Sequence, residues 1–498
     1  MARLAASAPP RVTRHAGQGG AGGTPHPTDA PFMVPLETWG VDGAIWHPNA
    51  DLNDVTTPDD ASLRITGDIT LIWVGSLKNW GATGSTIPLG RGAGSAANRS
   101  YFIQFTAAGV PIIAWSTDGT AGGQLSATAT AGLGATAYGS LVALMVTLDV
   151  DDGGGNRVAE FWTATDIAAA LADLDGSAWT QLGATVTTAG TTSIFAGTAK
   201  VTVGHADNQT ANDLFGATTH AQIISGLRGS GTVVADLDAT DLAGWTASTY
   251  TDSTGKVWTV NRSGNATAER LTTSAWNWTE AEWLEFADRA GLNPGSGDMW
   301  AAAGFRTRTT ATVDVLSKRD SDSPFPGWEL QTDANLIRFT SSDGSDSVLS
   351  PSVTTINDGA DHVAYGHVDR TTDVQVIDVD GTQEDTDSIA AVGDIGTADA
   401  LVVGARGDGH TVKFAGQVYW FAVGVGGNLT AAQRAELGGW DGTVATEPSF
   451  LRDGSVTRLY ATAADPTVQA HYLRDNTVLV MTDANQPRRL TATAPERF

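Results

Sequence analysis

Apolar residues along this chain fall at alternate positions in short runs, and Gly, Asn and Asp punctuate the gaps between the runs. From Leu36 onward the pattern predicts strands over Ile69-Thr-Leu-Ile-Trp-Val-Gly75, Tyr101-Phe-Ile-Gln-Phe105 and, past a Gly-Val-Pro turn, Ile112-Ile-Ala-Trp115. Trp115-Ser-Thr-Asp-Gly119 closes on an Asp-Gly turn signal. The apolar run from Leu141 to Asp149 turns at Asp151–Gly155, and Arg157-Val-Ala-Glu-Phe-Trp162 returns. Two antiparallel sheets packed face to face bury so many short strands most economically. Two helices carry start signals. Thr279-Glu-Ala-Glu282 reads as a capping box leading into Trp283, Phe286, Ala287 and Ala290 and stopping at Gly291, a linker between domains. Thr430-Ala-Ala-Gln433 starts the other, ending at Leu437 and Gly438.

The second half repeats the first. Phe102–Gly109 finds a counterpart in Trp328–Asn335, Ser116–Gly119 in Ser341–Gly344, Val142–Asp149 in His362–Asp369, and Val203-Gly204 in Val403-Gly404. The first copy is longer by about 25 residues, and the excess falls around Thr165–Gly183 as a longer hairpin or a short helix. The domains expected are a flexible N-terminal arm over residues 1–33, a first β-sandwich over 34–275, a linker helix and second β-sandwich over 276–445, and a C-terminal β extension over 446–498. In the arm, Pro9, Pro10, Pro25, Pro27 and Pro31 and the Gly17–Gly23 run leave too little apolar surface to fold alone. Val456–Tyr460 and Thr477–Thr482 read as strands that either extend the second sandwich or pair with a neighbouring subunit.

Charge narrows the partners. Lys and Arg number 29 against 55 Asp and Glu, a net charge of -26 that repels nucleic acid and anionic membranes. Only the arm, with Arg3, Arg11 and Arg14, is basic; it is either a disordered tail or a docking segment for a partner. With no cysteine, disulfides and thiolate metal sites are excluded. The first residues lack the apolar core of a Sec signal, and no run approaches the length of a membrane helix.

Several fragments in order resemble the laminin-G/concanavalin-like sandwich: Val315-Leu-Ser-Lys-Arg319, Gly327-Trp-Glu-Leu-Gln331, Asp358-Gly-Ala-Asp-His362, Val379-Asp-Gly381, Leu401-Val-Val-Gly404, Phe414-Ala-Gly-Gln-Val418 and Leu429-Thr-Ala-Ala-Gln433. The first copy is similar to the sandwich of minor tail proteins of actinobacterial tailed phages. This likeness rests on Pro58–Asp68, Ser100-Tyr101, Trp115–Gly119, Trp179–Phe195, Gly231–Ala235 and Thr251–Asn261, and it departs at Ile167–Leu171. The resemblance implies an all-β protein: two tandem concanavalin-like (laminin-G-type) antiparallel β-sandwiches with short connecting helices. It also implies a virion component, on the tail rather than the head, assembled in the host cytoplasm. Its implied partners are other virion proteins, engaged through the arm, host cell-wall glycan, and further copies of itself. A purely structural or decoration role is the alternative.

An enzyme is the third reading, because the same sandwich carries glycanases. Those resemble one another in an E-x-D-x-x-E strand, whose alternate carboxylates supply nucleophile and acid. No such run exists here: Glu280, Glu282 and Glu285 fall in the expected helix, Asp236 and Asp238 lack a third carboxylate, and Asp149, Asp151 and Asp152 border a glycine turn. No Gly-x-Ser-x-Gly elbow, His-Glu-x-x-His or phosphate loop is present either, so no catalytic residues are expected. By analogy with laminin-G domains, Asp207, Asn208, Asp213 and Asp408 are rim-loop candidates: Asp207, Asp213 and Asp408 for calcium, and Asp207, Asn208 and Asp408 for a ligand. Ordinary polar loops are the plainer alternative. Trp80 and Trp440, beside glycines, are candidates for stacking on a sugar, whereas Trp73, Trp162 and Trp420 lie in strands as core. His47, His205, His220, His362 and His410 show no metal spacing.

Overall fold

The computed structural model describes residues 31–34, 36–50, 52–78, 86–133, 140–207, 213–246, 248–286, 288, 292–320, 324–407, 412–440 and 448–452, together with the backbone of Thr457–Thr462, Thr467–Tyr472 and Val478–Thr482. The chain divides into two compact units, one over Trp39–Thr272 and the other over Met1–Thr38 with Thr273–Phe498.

The first unit is a two-sheet sandwich. One sheet runs Thr180–Gln181, Asn156–Ala164, Val142–Asp149, Ile69–Leu77, Phe215–Ser225, Ala44–Pro48, Glu269–Leu271, with Thr232–Asp238 also on Phe215–Ser225. The other runs Thr249–Thr251, Val257–Val260, Val55–Thr57, Val201–Val203, Thr86–Arg91, Tyr101–Phe105, Pro111–Ser116, Gln124–Thr128. Because strand side chains alternate, one face of each sheet supplies the core: Leu71, Trp73, Leu144 and Val146 from the first, Leu89, Tyr101, Ile103 and Trp115 from the second. Each such large side chain contributes about 1.5–3 kcal/mol on burial. The extra segment of this copy is a helix, Ile167–Ala172, capped by Asp166. It lays Ala170, with Trp179, over Ile72, Val74 and Met145 on the first sheet's other face.

The second unit repeats this plan. Its larger sheet places Val374–Val379, Asp361–Asp369, Met299–Arg306, Ala415–Val425 and Ala275–Thr279 in the order of their first-unit counterparts. Its smaller sheet runs Leu284–Phe286, Leu401–Val403, Asp314–Arg319, Gly327–Asp333, Leu336–Ser342, Ser347–Pro351. Thr457–Thr462 pairs with Ala415–Val425 where Thr232–Asp238 pairs with Phe215–Ser225, so this part of the C-terminal extension has a counterpart in the first unit. Thr467–Tyr472 and Val478–Thr482 prolong the same sheet.

Three sequence expectations change. The ladders align Val203 with Leu89 and Ile103, and Val403 with Leu316 and Leu330. Tyr101 therefore corresponds to Trp328, and Trp115 to Ser341, one residue away from the match by sequence. A slip of one residue exchanges the two faces of a strand. The helix expected from Thr279 is instead the strand Leu284–Phe286. Glu282 does accept the hydrogen bond from the Thr279 amide, at 2.8 Å, but this closes a turn in which Glu280 has φ +69°. Phe286 is then drawn into the core beside Leu401–Val403. Finally, Phe32–Val34, placed by sequence at the edge of a flexible arm, is a strand on Ala275–Thr279 with Phe32 and Val34 fully buried.

Candidate functional site

In both units the strand before the rim loop ends on a glycine in the left-handed region, Gly204 (φ +88°) and Gly404 (φ +81°). A Cβ there would lie 2.2 Å from the His47 ring in one unit and 2.2 Å from the Trp278 ring in the other. His47 is fully buried and its ring nitrogens have no hydrogen-bond partner. Burial, only partly offset by the nearby Asn53 backbone and then by the charge of Asp213, lowers its pKa to about 4.

The loop after Gly204 gathers the rim candidates of the first unit. Lys200 Nζ lies 3.8 Å from Asp54 Oδ2 and 3.8 Å from Asp207 Oδ1, so an ammonium already stands between the two carboxylates. Burial holds the Asp207 carboxyl above its ordinary range, with Lys200 acting against it and Asp54 adding to it. Asp213 pairs with His205. Among the described residues no three His, Asp or Glu side chains converge as metal ligands, and no helix is long and apolar enough to cross a membrane. Trp80, Asn208 and Asp408 lie outside the described residues.

Trp440 is a correction. It is 3% exposed and stacks on Trp420 with ring centroids 4.7 Å apart; its carbonyl accepts from Trp420 Nε1 at 3.0 Å. The capped helix Ala431–Gly438 returns the chain to the sheet, so Trp440 packs and offers no sugar platform.

A second constellation escaped the sequence reading. On the outer face of each smaller sheet, four corresponding positions are Ile87, Phe102, Ala114 and Ala206 in the first unit, and Asp314, Glu329, Thr340 and Arg406 in the second. The first set is a buried apolar cluster. In the second set, Arg406 Nε lies 3.2 Å from Asp314 Oδ2 and 3.6 Å from Glu329 Oε2. Arg319 Nη1 reaches Glu329 Oε1 at 2.5 Å, and Gln331 links Asp314 to Arg338, which holds Asp333 at 2.8 Å. Burial, then the charge of Glu329, pushes the Asp314 carboxyl well above the usual carboxylate range, with Arg406 opposing. The signal was in the alternation Trp328, Glu329, Leu330, Gln331, but the slipped match set Glu329 against Ile103 instead of Phe102.

No family model matches this chain, and no curated protein matches it. Among solved structures it is similar to the mouse laminin α1 chain, domains LG4-5, at 13% identity over 79% of this chain and 90% of that chain, with a TM-score of 0.28. It is also similar to the LG1-3 region of the laminin α2 chain, at 11% identity over 77% of this chain and 62% of that one, with a TM-score of 0.31. The botulinum neurotoxin serotype G binding domain matches 33% of this chain and 42% of its own length at 13% identity, with a TM-score of 0.27. Both units are concanavalin-like, laminin-G-type sandwiches. That statement rests on the sheet order and register above. In laminin-G terms, the rim loops follow Gly204 and Gly404, and the charged network lies on the outer face of the second domain's smaller sheet.

Proposed function

We propose that this protein is a non-catalytic attachment component of a tailed-phage virion, in which laminin-G-like domains hold host cell-surface glycan. The observation that carries the reading is the contrast between the two outer faces. One scaffold folds with Ile87, Phe102, Ala114 and Ala206 at four positions, so the fold does not require the charges of Asp314, Glu329 and Arg406 at the same places. Desolvating such groups is costly, and replacing a buried ion pair by well-packed apolar residues is often neutral or stabilising. Charges kept at that cost suit recognition better than packing. The phage assignment rests on the resemblance of Pro58–Asp68, Trp179–Phe195 and Thr251–Asn261, and the basic stretch with Arg3, Arg11 and Arg14 is the segment proposed to dock on other virion proteins. Binding is proposed to need no calcium, because Lys200 already supplies the cation between Asp54 and Asp207.

Hydrolysis of glycan is a second reading with one observation in its favour: Asp314 and Glu329 meet around Arg406, and the Asp314 carboxyl has a raised pKa. Against it, both carboxylates are held by arginines, Asp314 by Arg406 and Glu329 by Arg319 and Arg406, so neither stands free as nucleophile or acid. The deciding experiment sediments the full chain with cell walls of an actinobacterial host and assays the supernatant for new reducing ends. Saturable binding, competed by soluble wall polysaccharide and with no release, is expected. Assembly onto particles without wall binding would leave a decoration protein, and reducing ends that disappear in Glu329→Gln would establish the hydrolase.

A further inference from the structure

We infer that the outer face of the second domain's smaller sheet, around Phe325, Arg319, Arg338 and Glu329, is the binding site for a neutral saccharide; this deepens the glycan-binding reading and rests on it. Three observations converge there. Phe325 has φ +60°, a conformation that strains a bulky residue, yet it is 38% exposed instead of packed in the core. Its carbonyl accepts from Arg319 Nε at 3.0 Å, and the Arg319 guanidinium lies 5.5 Å from its ring centroid. The ring is thereby held at the edge of the charged network instead of swinging freely.

Next, the network is left incomplete. Glu329 Oε2, Thr340 Oγ1 and Arg338 Nε are buried and have no hydrogen-bond partner, although Glu329 and Thr340 sit opposite one another in the ladder and Arg338 is two residues from Thr340. A buried polar group left without a hydrogen bond destabilises the fold unless something else satisfies it. One acceptor, one donor and one hydroxyl of either role suit hydroxyl groups, which both donate and accept. Finally, the duplicate domain has Phe102 and Ala114 in place of Glu329 and Thr340, so the pattern belongs to this surface and not to the sandwich.

The arginines that reach the surface are already matched by Asp314, Glu329 and Asp333. The face is therefore not a cationic patch awaiting an anion. An exposed aromatic ring beside paired charges fits a sugar with one apolar ring face and adjacent hydroxyls. Admitting it requires the Arg406 side chain, 24% exposed, to move away from Glu329 Oε2, to which it makes no hydrogen bond, and to give up its 3.2 Å hydrogen bond to Asp314 Oδ2.

The test is isothermal titration of the full chain with soluble neutral cell-wall polysaccharide, in parallel with an acidic polysaccharide, for wild type and three variants. Phe325→Gly and Arg338→Ala are expected to weaken binding at least tenfold. Gln104→Ala, on the corresponding face of the first domain, is expected to leave it unchanged. Phe325→Gly should also melt no earlier than wild type, because it relieves the backbone; loss of binding then cannot be ascribed to misfolding. Wild-type binding that persists undiminished in Phe325→Gly and Arg338→Ala would overturn this site while sparing the glycan-binding reading. Binding of the acidic polysaccharide alone would overturn the ligand class. No binding by wild type to either would remove both readings.

Discussion

At the scale of single residues, histidines set the pH response of the first domain. Burial alone would lower the pKa of His220, but the hydrogen bond to Asp236, 2.9 Å away, and the charges of Asp236 and of Asp238, 3.9 Å away, raise it to about 9. A folded-state pKa above the unfolded value of about 6.5 gives stability that is fully present below pH 6.5 and is lost as pH rises through 9. His47 acts in the opposite window. Its folded pKa of about 4 means the unfolded chain takes up the proton first, so stability falls as pH drops from 6.5 toward 4. Thermal melts across pH should place the first domain's optimum near 6.5, and His220→Gln should remove the alkaline loss, a term on the order of 3 kcal/mol. An alkaline limb unchanged in that variant would refute the assignment. Gly204→Ala is expected to cost about 2 kcal/mol or more, since both the left-handed backbone and the His47 ring oppose a methyl group. Denaturant unfolding measures it, and a loss within 0.5 kcal/mol would contradict the geometry. None of this was legible beforehand. The glycines were visible as matches in the repeat, but not the ring that each admits.

At the scale of elements, a buried cation pins the loop that leads to each rim strand. Lys318, 1% exposed, donates to Asp288 at 2.8 Å and to the carbonyls of Thr397 at 2.8 Å and Asp399 at 2.5 Å. Burial lowers its pKa, with Asp288 opposing. Its counterpart Arg91 pairs with Asp59 and donates to the Gly197 carbonyl at 2.6 Å. Lys318→Met should cost about 3 kcal/mol, because it takes the ammonium from the Asp288 carboxylate and leaves two carbonyls without that donor; chemical denaturation of the second domain reads it out. Stability equal to wild type would show that the ammonium is incidental. The strands were largely readable, since period-two alternation follows directly from the pleat. The helix from Thr279 failed because the Thr279–Glu282 bond is local and serves a turn as well as a helix, whereas the partner strand Leu401–Val403 lies far along the chain. The charged face was missed for a related reason. Register is fixed by ladders between distant segments, and an alignment by residue likeness placed Glu329 on the wrong side.

At the scale of the whole molecule, the two domains close the same edge by different means. In the first, Glu269–Leu271 pairs with Ala44–Pro48, setting Glu269 against Trp46 and Leu271 against Ala44. In the second, Phe32 stands against Asn277 and Val34 against Ala275. A strand from before the first domain thus fills the slot that the first domain fills with its own last strand. Removing residues 1–35 should destabilise the second domain and spare the first. Hydrogen exchange would show this as lost protection over Ala275–Thr279, with Ala44–Pro48 unchanged; equal protection in both would contradict the pairing. The duplication was readable because it spans the whole chain in order, but this closure was not, since three residues carry too little pattern to name a partner more than 240 positions away.

The proposal that one duplicated scaffold presents two chemically different faces, of which the charged one holds glycan, is tested most directly by titrating the intact protein with purified host wall polysaccharide at neutral pH, with and without chelator. Saturable binding that is indifferent to the chelator and releases no reducing ends is the predicted result. No binding at any polysaccharide concentration, or binding that vanishes with the chelator, would contradict it.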